Sequence, residues 1–248
     1  MKLAARVLLF TTAVGVLIVT SAPAALLDQM LDRLSHGQFR LAWATGTLWN
    51  GQARLATSDS SAALHPVSDL SWTLEPSGLL EARLRWVVKI DGNAPATLEI
   101  HPGGVALQRL TLQLPPAVAL AAVPHAIARA GWRGVLDLRI PALACTWSGG
   151  CEGRTHAEWR AGGVDILPGQ ALGDHRIDAT ITPSATTLDI HAINTRTLAI
   201  NGKIELESGR RPRLDLELGG DAQLLGRLRS MLEKFGGVQD GARLRIRS

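Results

Sequence analysis

The chain has 248 residues with 46% apolar side chains, and its formal net charge of +4 falls to +2 once Lys2 and Arg6 are set aside. So weak a balance gives no basis for nucleic-acid binding. The residues beyond the first 27 number roughly 220, enough for one large domain or two small ones with real cores.

The amino terminus is the most distinctive stretch. Lys2 and Arg6 precede an uncharged apolar run, Val7 to Leu27, which as a helix would be roughly 31 Å long, about the thickness of bilayer hydrocarbon. The expectation is a single-pass inner-membrane anchor over residues 1–27, with the flanking positive charges on the cytoplasmic side and residues 28–248 in the periplasm. Ala22-Pro23-Ala24 also offers small residues for signal-peptide cleavage, although Pro23 beside the cut is unfavourable.

From Gln38 onward the dominant period is two. It runs through Phe39, Leu41 and Trp43; Leu70, Trp72 and Leu74; Leu80 to Ile90; Ile177, Ala179 and Ile181; Leu198 to Leu206; and Leu214 to Leu218. The stretch Leu80, Ala82, Leu84, Trp86, Val88, Ile90 reads as the clearest strand. Asp91-Gly92-Asn93, Pro102-Gly103-Gly104 and Asn201-Gly202 end or bend strands. The fold class is therefore mainly β: a transmembrane helix, then a strongly curved antiparallel meander with a few short helices. Ala-rich 116–130, interrupted by Pro124, suggests short helices and a subdomain boundary. In Asp221 to Phe235, leucines recur at helical spacing before Gly236-Gly237, as in an amphipathic helix packed on its own domain. Arg243, Arg245 and Arg247 alternate with Leu244 and Ile246, as on a solvated strand face.

Cys145 and Cys151 flank Thr146-Trp147-Ser148-Gly149-Gly150, whose Ser-Gly-Gly centre would turn the chain back on itself. In an oxidising compartment the pair is expected to form a disulfide that fixes a hairpin. A zinc site adding His156 and His175 is the alternative, without the paired Cys-x2-Cys spacing of structural zinc. No nucleophile elbow, Walker loop or His-Glu-x-x-His is present, so no catalytic site and no cofactor is expected. The seven histidines are scattered, mostly beside turns, where they would face water. Seven tryptophans and no tyrosine are explained as core filling, or else as a ligand or partner surface. Trp43 and Trp49 would face the same way on an unbroken strand, a parity that Gly46 could break.

Gly46-Thr47-Leu48-Trp49-Asn50-Gly51-Gln52-Ala53, close behind a membrane helix and followed by Leu70-Ser71-Trp72-Thr73-Leu74-Glu75-Pro76, resembles the protein N family of the bacterial type II secretion system. The pair Cys145 and Cys151 and the stretch Leu224 to Gly241 look like the same family. The resemblance marks Gly46, Thr47, Trp49, Gly51, Trp72 and Pro76 as motif positions. It implies a non-enzymatic inner-membrane accessory subunit whose partners are other secretion subunits and the membrane. That family also looks similar to AsmA-like envelope proteins, whose curved, apolar-lined sheets are associated with lipid. This supplies the alternative of a lipid-binding or lipid-bridging module with phospholipid as partner.

Overall fold

The structure, a computed structural model, describes residues 10, 14, 17, 19–35, 37–58, 64–121, 131–165, 171–194, 198–207, 213–221, 225, 237–240 and 243–247. The chain forms two compact units, Met1–Pro95 and Ala96–Ser248.

In the first unit a helix, α1 (Ala25–Leu34), precedes β1 (Phe39–Gly46), β2 (Asn50–Ser58), β3 (Leu64–Glu75) and β4 (Leu84–Ile90), which pair antiparallel in chain order. Of the run Val7 to Leu27, residues 7–9, 11–13, 15, 16 and 18 lie outside the described residues. Among those described, no helix is long and apolar enough to cross a membrane, and Phe10, Val14, Leu17 and Val19 are exposed. The carboxy-terminal end of the expected span needs correction. Pro23, which has no N–H to continue a helix, forms a β-bridge with Thr47, and α1 starts only at Ala25.

The strand expected to begin at Leu80 begins at Leu84. Pro76, with φ preset for a tight turn, opens a 3-10 helix over Pro76–Glu81, and Ala82 closes it in a left-handed conformation at φ 55°. Gly78 has to be glycine here, since a Cβ would lie 2.8 Å from the Arg83 carbonyl oxygen. Leu80 is therefore 96% exposed instead of facing the core. Trp86 and Ile90 of β4 are buried as their period requires.

The second unit is a longer meander: β5 (Ala96–His101), β6 (Gly104–Leu114), β7 (Trp132–Thr146), β8 (Cys151–Val164), β9 (Gly173–Ile181), β10 (Ala185–Ala192), β11 (Leu198–Glu207) and β12 (Arg213–Gly220). A terminal hairpin, β13 (Gly237–Asp240) and β14 (Arg243–Arg247), joins with β14 against β12 and β13 outside it. The antiparallel meander with few short helices is thus as the period of two indicates. Strong curvature is not. Between β9 and β12 the ladder carries no register shift, and bends are local, at Ala42/Thr45, Leu55/Ala56, Arg133/Val135, Arg139/Ala142 and Trp159/Gly162. Of the segment 116–130, Pro116–Ala121 form a short helix, α2, inside this unit, and 122–130 fall outside the described residues. On either side β6 and β7 pair with each other as far as Leu114↔Leu136.

Register gives the second unit two unlike faces. Leu112, Leu138, Ala157, Ile177, Ile190, Gly202 and Leu216 form one cross-strand row. The adjacent row, on the opposite face, reads Arg139, His156, Asp178, Asp189, Lys203 and Asp215. Polar side chains pair along that face: His156 with Asp178, Arg176 with Glu158, and Lys203 with Glu205. The core gathers at one end of the sheet, where Trp159, Val164, Leu172, Leu198 and Leu218 are buried with Trp132, Leu136 and Leu225 against them. Leu225 is helical and packs on this core, as expected of the stripe Asp221 to Phe235, whose remainder apart from Asp221 lies outside the described residues. Arg243, Arg245 and Arg247 belong to β14, with Arg245 in register with Glu217 and Arg247 with Asp215.

Candidate functional site

The motif Gly46 to Gly51 is the β1–β2 turn, and it joins three parts of the first unit. Gly46 stands at φ 88°, and a Cβ there would meet the Asn50 carbonyl oxygen at 2.5 Å, so only glycine admits so tight a return. Thr47 closes the turn from inside: its hydroxyl accepts from the amides of Trp49 and Asn50 at 3.3 and 3.2 Å. Gly51 leaves space for an indole, since a Cβ would come within 2.6 Å of Trp72 Cζ2.

Two strand tryptophans hydrogen-bond this turn. Trp72 Nε1 donates to the Thr47 carbonyl and Trp86 Nε1 to the Leu48 carbonyl, both at 3.1 Å. Trp49 itself stacks on Trp86, with ring centroids 6.3 Å apart and planes within 7°. The turn also grips the chain before it. Ala24 N–H donates to the Gly46 carbonyl at 3.1 Å, Leu48 N–H to the Ala22 carbonyl at 2.8 Å, and Trp49 Nε1 to the Val19 carbonyl at 2.8 Å. Ala24 is buried in consequence.

A second clamp holds α1. The Asp28 carboxylate accepts from Arg40 Nε and Nη2 at 2.9 and 2.6 Å and from the Leu41 amide at 2.7 Å. The Arg40 hydrogen bond, ahead of other influences, holds the Asp28 carboxyl below its usual range. The segment from Val19 to Leu34 is therefore fastened at both ends to β1 and its turn. Among the described residues that lead from α1 into β1, Gly37 N–H donates to the Asp32 carbonyl at 2.8 Å and Gln38 N–H to the Ser35 carbonyl at 3.2 Å. Trp86, Asp28 and Arg40 were not among the motif residues. Trp86 could have been found from its buried parity, whereas nothing in the local sequence couples Asp28 to Arg40.

Pro76 starts the 3-10 helix at the same end of the sheet, because Asn50 pairs with Thr73 and Gly51 with Trp72 just before β3 ends. Trp43 behaves differently from Trp49. It sits at φ 53° where the β1–β2 register shifts, which breaks the parity at Trp43 as well as at Gly46, and it is 68% exposed. The Arg54 guanidinium lies 5.6 Å from its ring centroid and pairs with Asp69 at 2.6 Å.

The second unit repeats the glycine-and-indole device. Trp159 Nε1 donates to the Arg133 carbonyl at 2.9 Å, and its ring fills the space left by Gly134 and Gly162, where a Cβ would lie 3.0 and 2.8 Å from it. His175, expected to face water, is instead 1% exposed beside Trp159, and its Nε2 accepts the Ile200 amide at 3.2 Å. Its parity with Ile177 and Ala179 was the overlooked signal. Burial pushes the His175 pKa below the ordinary histidine range, against the opposing charge of Asp174. Because the folded state disfavours the imidazolium, its contribution to stability is complete above the ordinary range and is lost as the pH falls through the lowered folded value. The second unit should therefore melt progressively lower from pH 7.5 to pH 5, and His175→Gln, which keeps an acceptor, should flatten that part of the profile.

Cys145 and Cys151 form a disulfide across a β7–β8 register pair with Cα atoms 4.0 Å apart, so the zinc alternative with His156 and His175 is overturned. No cluster able to hold a metal occurs among the described residues. The bond closes the hairpin tip from which Trp147 donates to the His101 carbonyl at 3.1 Å. Replacing both cysteines by serine should cost about 2 kcal/mol, the low end for so short a loop. Thermal unfolding with and without reductant checks this, since reductant should shift only the wild-type protein.

A family profile described as type II secretion system (T2SS), protein N, matches residues 38–247. The chain belongs to that family. Neither the curated proteins nor the solved structures gave a match. Protein N is a component of the type II secretion system, an accessory part of that apparatus and not a known enzyme. The matched span begins at β1 and includes the Gly46 to Gly51 turn and the disulfide, so both belong to the family domain.

Proposed function

We propose that this chain works as a membrane-tethered periplasmic scaffold, held at the inner membrane by the apolar run before Ser21 and presenting its sheets to other secretion subunits. The observation that carries the reading is the grip of the Gly46 to Gly51 turn on Val19, Ala22 and Ala24. Cleavage after Ala24 would remove three backbone acceptors or donors that this turn uses, which favours an amino terminus that stays attached. A rigid attachment restricts the domain to a shallow layer beside the membrane and raises its effective concentration for neighbours there. No chemistry is required of it. Charges pair with one another along the sheet, as in Arg176–Glu158 and Lys203–Glu205, and partner recognition is assigned to exposed aromatic positions such as Trp43 and Trp147.

Affinity capture of the tagged full chain from detergent-solubilised membranes of its native host tests the reading. Recovery of other type II secretion subunits, reduced by Trp43→Ala or Trp147→Ala without loss of folding, is the expected result. Recovery of the chain alone after in vivo crosslinking would count against a scaffold.

A second reading has one observation in its favour. Ile177, Leu188, Ile190, Ile204, Leu214 and Leu216 on the apolar face of the second unit are only half-buried, as a lipid-holding surface would require. Stoichiometric phospholipid in an organic extract of the purified protein would favour it over the scaffold.

A further inference from the structure

The loop between β3 and β4 displays two leucines that the core does not use. Leu80 is 96% exposed and Leu79 49% exposed. Their exposure is built in. The loop is a 3-10 turn opened by Pro76, with Ala82 N–H donating to the Leu79 carbonyl at 3.1 Å and Arg83 N–H to the Gly78 carbonyl at 2.9 Å. A hydrophobic pair held out on an ordered turn costs solvation without return unless something apolar covers it.

Its place in the fold identifies the cover. Both legs of the loop are tied to the β1–β2 turn: Leu74 N–H on β3 donates to the Trp49 carbonyl at 2.6 Å, and Trp86 on β4 bonds the Leu48 carbonyl and stacks on Trp49. That turn in turn holds the Val19 and Ala22 carbonyls. One end of the first unit therefore carries, side by side, the exit of the apolar amino-terminal run, the half-buried Trp49 indole and the exposed Leu79-Leu80 pair. Glu75, Glu81, Arg83 and Arg85 border the loop, with Arg83–Glu81 and Arg85–Glu75 at 3.4 and 3.9 Å. An apolar tip, an indole behind it and a rim of paired charges match the layers of a bilayer surface from acyl boundary to headgroup.

We infer that Leu79 and Leu80 form a second membrane contact, a wedge that enters the outer layer of the same bilayer that holds the amino-terminal run. It would fix the tilt of the first unit on the membrane, which a single helix leaves free to rotate. The inference rests on the membrane-tethered reading above.

The test uses the full chain reconstituted into phosphatidylethanolamine/phosphatidylglycerol vesicles. An environment-sensitive fluorophore is attached at Leu80→Cys and, as a control at the opposite end of the same sheet, at Asn93→Cys; Cys145 and Cys151 are bonded to each other and do not react. The expected result is a blue-shifted label at Leu80→Cys that loses most of its emission to spin-labelled lipid, with the Asn93→Cys label unaffected. A label at Leu80→Cys as water-exposed as the control, in a chain that resists alkaline carbonate extraction, overturns the wedge and leaves the anchor standing. A chain that washes out in carbonate removes the anchor, and the wedge with it. A label shielded from water but untouched by lipid quencher also overturns the inference, because a protein surface then covers the leucines.

Discussion

Trp72→Ala should lower the stability of the first unit by about 3–5 kcal/mol, the range for deleting a buried aromatic side chain. Trp72 is 6% exposed, its ring lies over Gly51, and its indole N–H is the partner of the Thr47 carbonyl. Truncation leaves a cavity above Gly51 and frees a carbonyl of the turn that grips Ala22 and Ala24. The damage should therefore spread beyond the strand: hydrogen exchange of the full chain in detergent should quicken across residues 39–90 and at Ala24, whose amide donates to the Gly46 carbonyl, with 173–220 unchanged. Trp49→Ala should cost less, because Trp49 is only half-buried and loses mainly its stack on Trp86. Near-wild-type protection in Trp72→Ala would remove the indole from its role as the fastener of this turn.

Trp159→Ala should be as damaging in the second unit, again by about 3–5 kcal/mol. Trp159 is 6% exposed within the cluster of Leu198, Leu218 and Val164, with Trp132 edge-on at a centroid distance of 5.2 Å and His175 at 5.7 Å. Its loss opens a cavity between Gly134 and Gly162 and gives water access to His175. Two readouts follow: a lower melting temperature at pH 7.5, and a weaker dependence of stability on acidification, since a hydrated imidazole no longer resists protonation. A variant that melts lower yet keeps the full wild-type pH dependence would show that Trp159 does not seal His175.

Much of the architecture was legible in period-two alternation, and the reason is physical. Strands such as β9 and β12 bury one face only, so Ile177, Ala179 and Leu218 mark themselves by parity. The failures sit where the backbone leaves the extended region. Leu80 and Ala82 keep the alternating pattern of β4 in sequence, but Pro76 and the left-handed Ala82 fold them into a turn. Trp43 keeps the parity of Phe39 and Leu41, and a bulge at φ 53° turns it to water. The motif was visible as glycines beside tryptophans. Its purpose was not, because the partners of the turn, Val19 and Trp86, lie 30 and 38 residues away in the chain.

In the proposed reading the chain acts from a fixed seat on the membrane. Replacing residues 1–18 by a cleaved signal peptide, in a host lacking its own copy and at native expression level, tests it most directly by the amount of type II cargo exported, because Val19, Ala22 and Ala24 stay to complete the turn. The released domain should fold, keep its disulfide and fail to restore export, and refastening it with an unrelated single-pass helix should recover part of the loss. Full export by the free domain would contradict the claim.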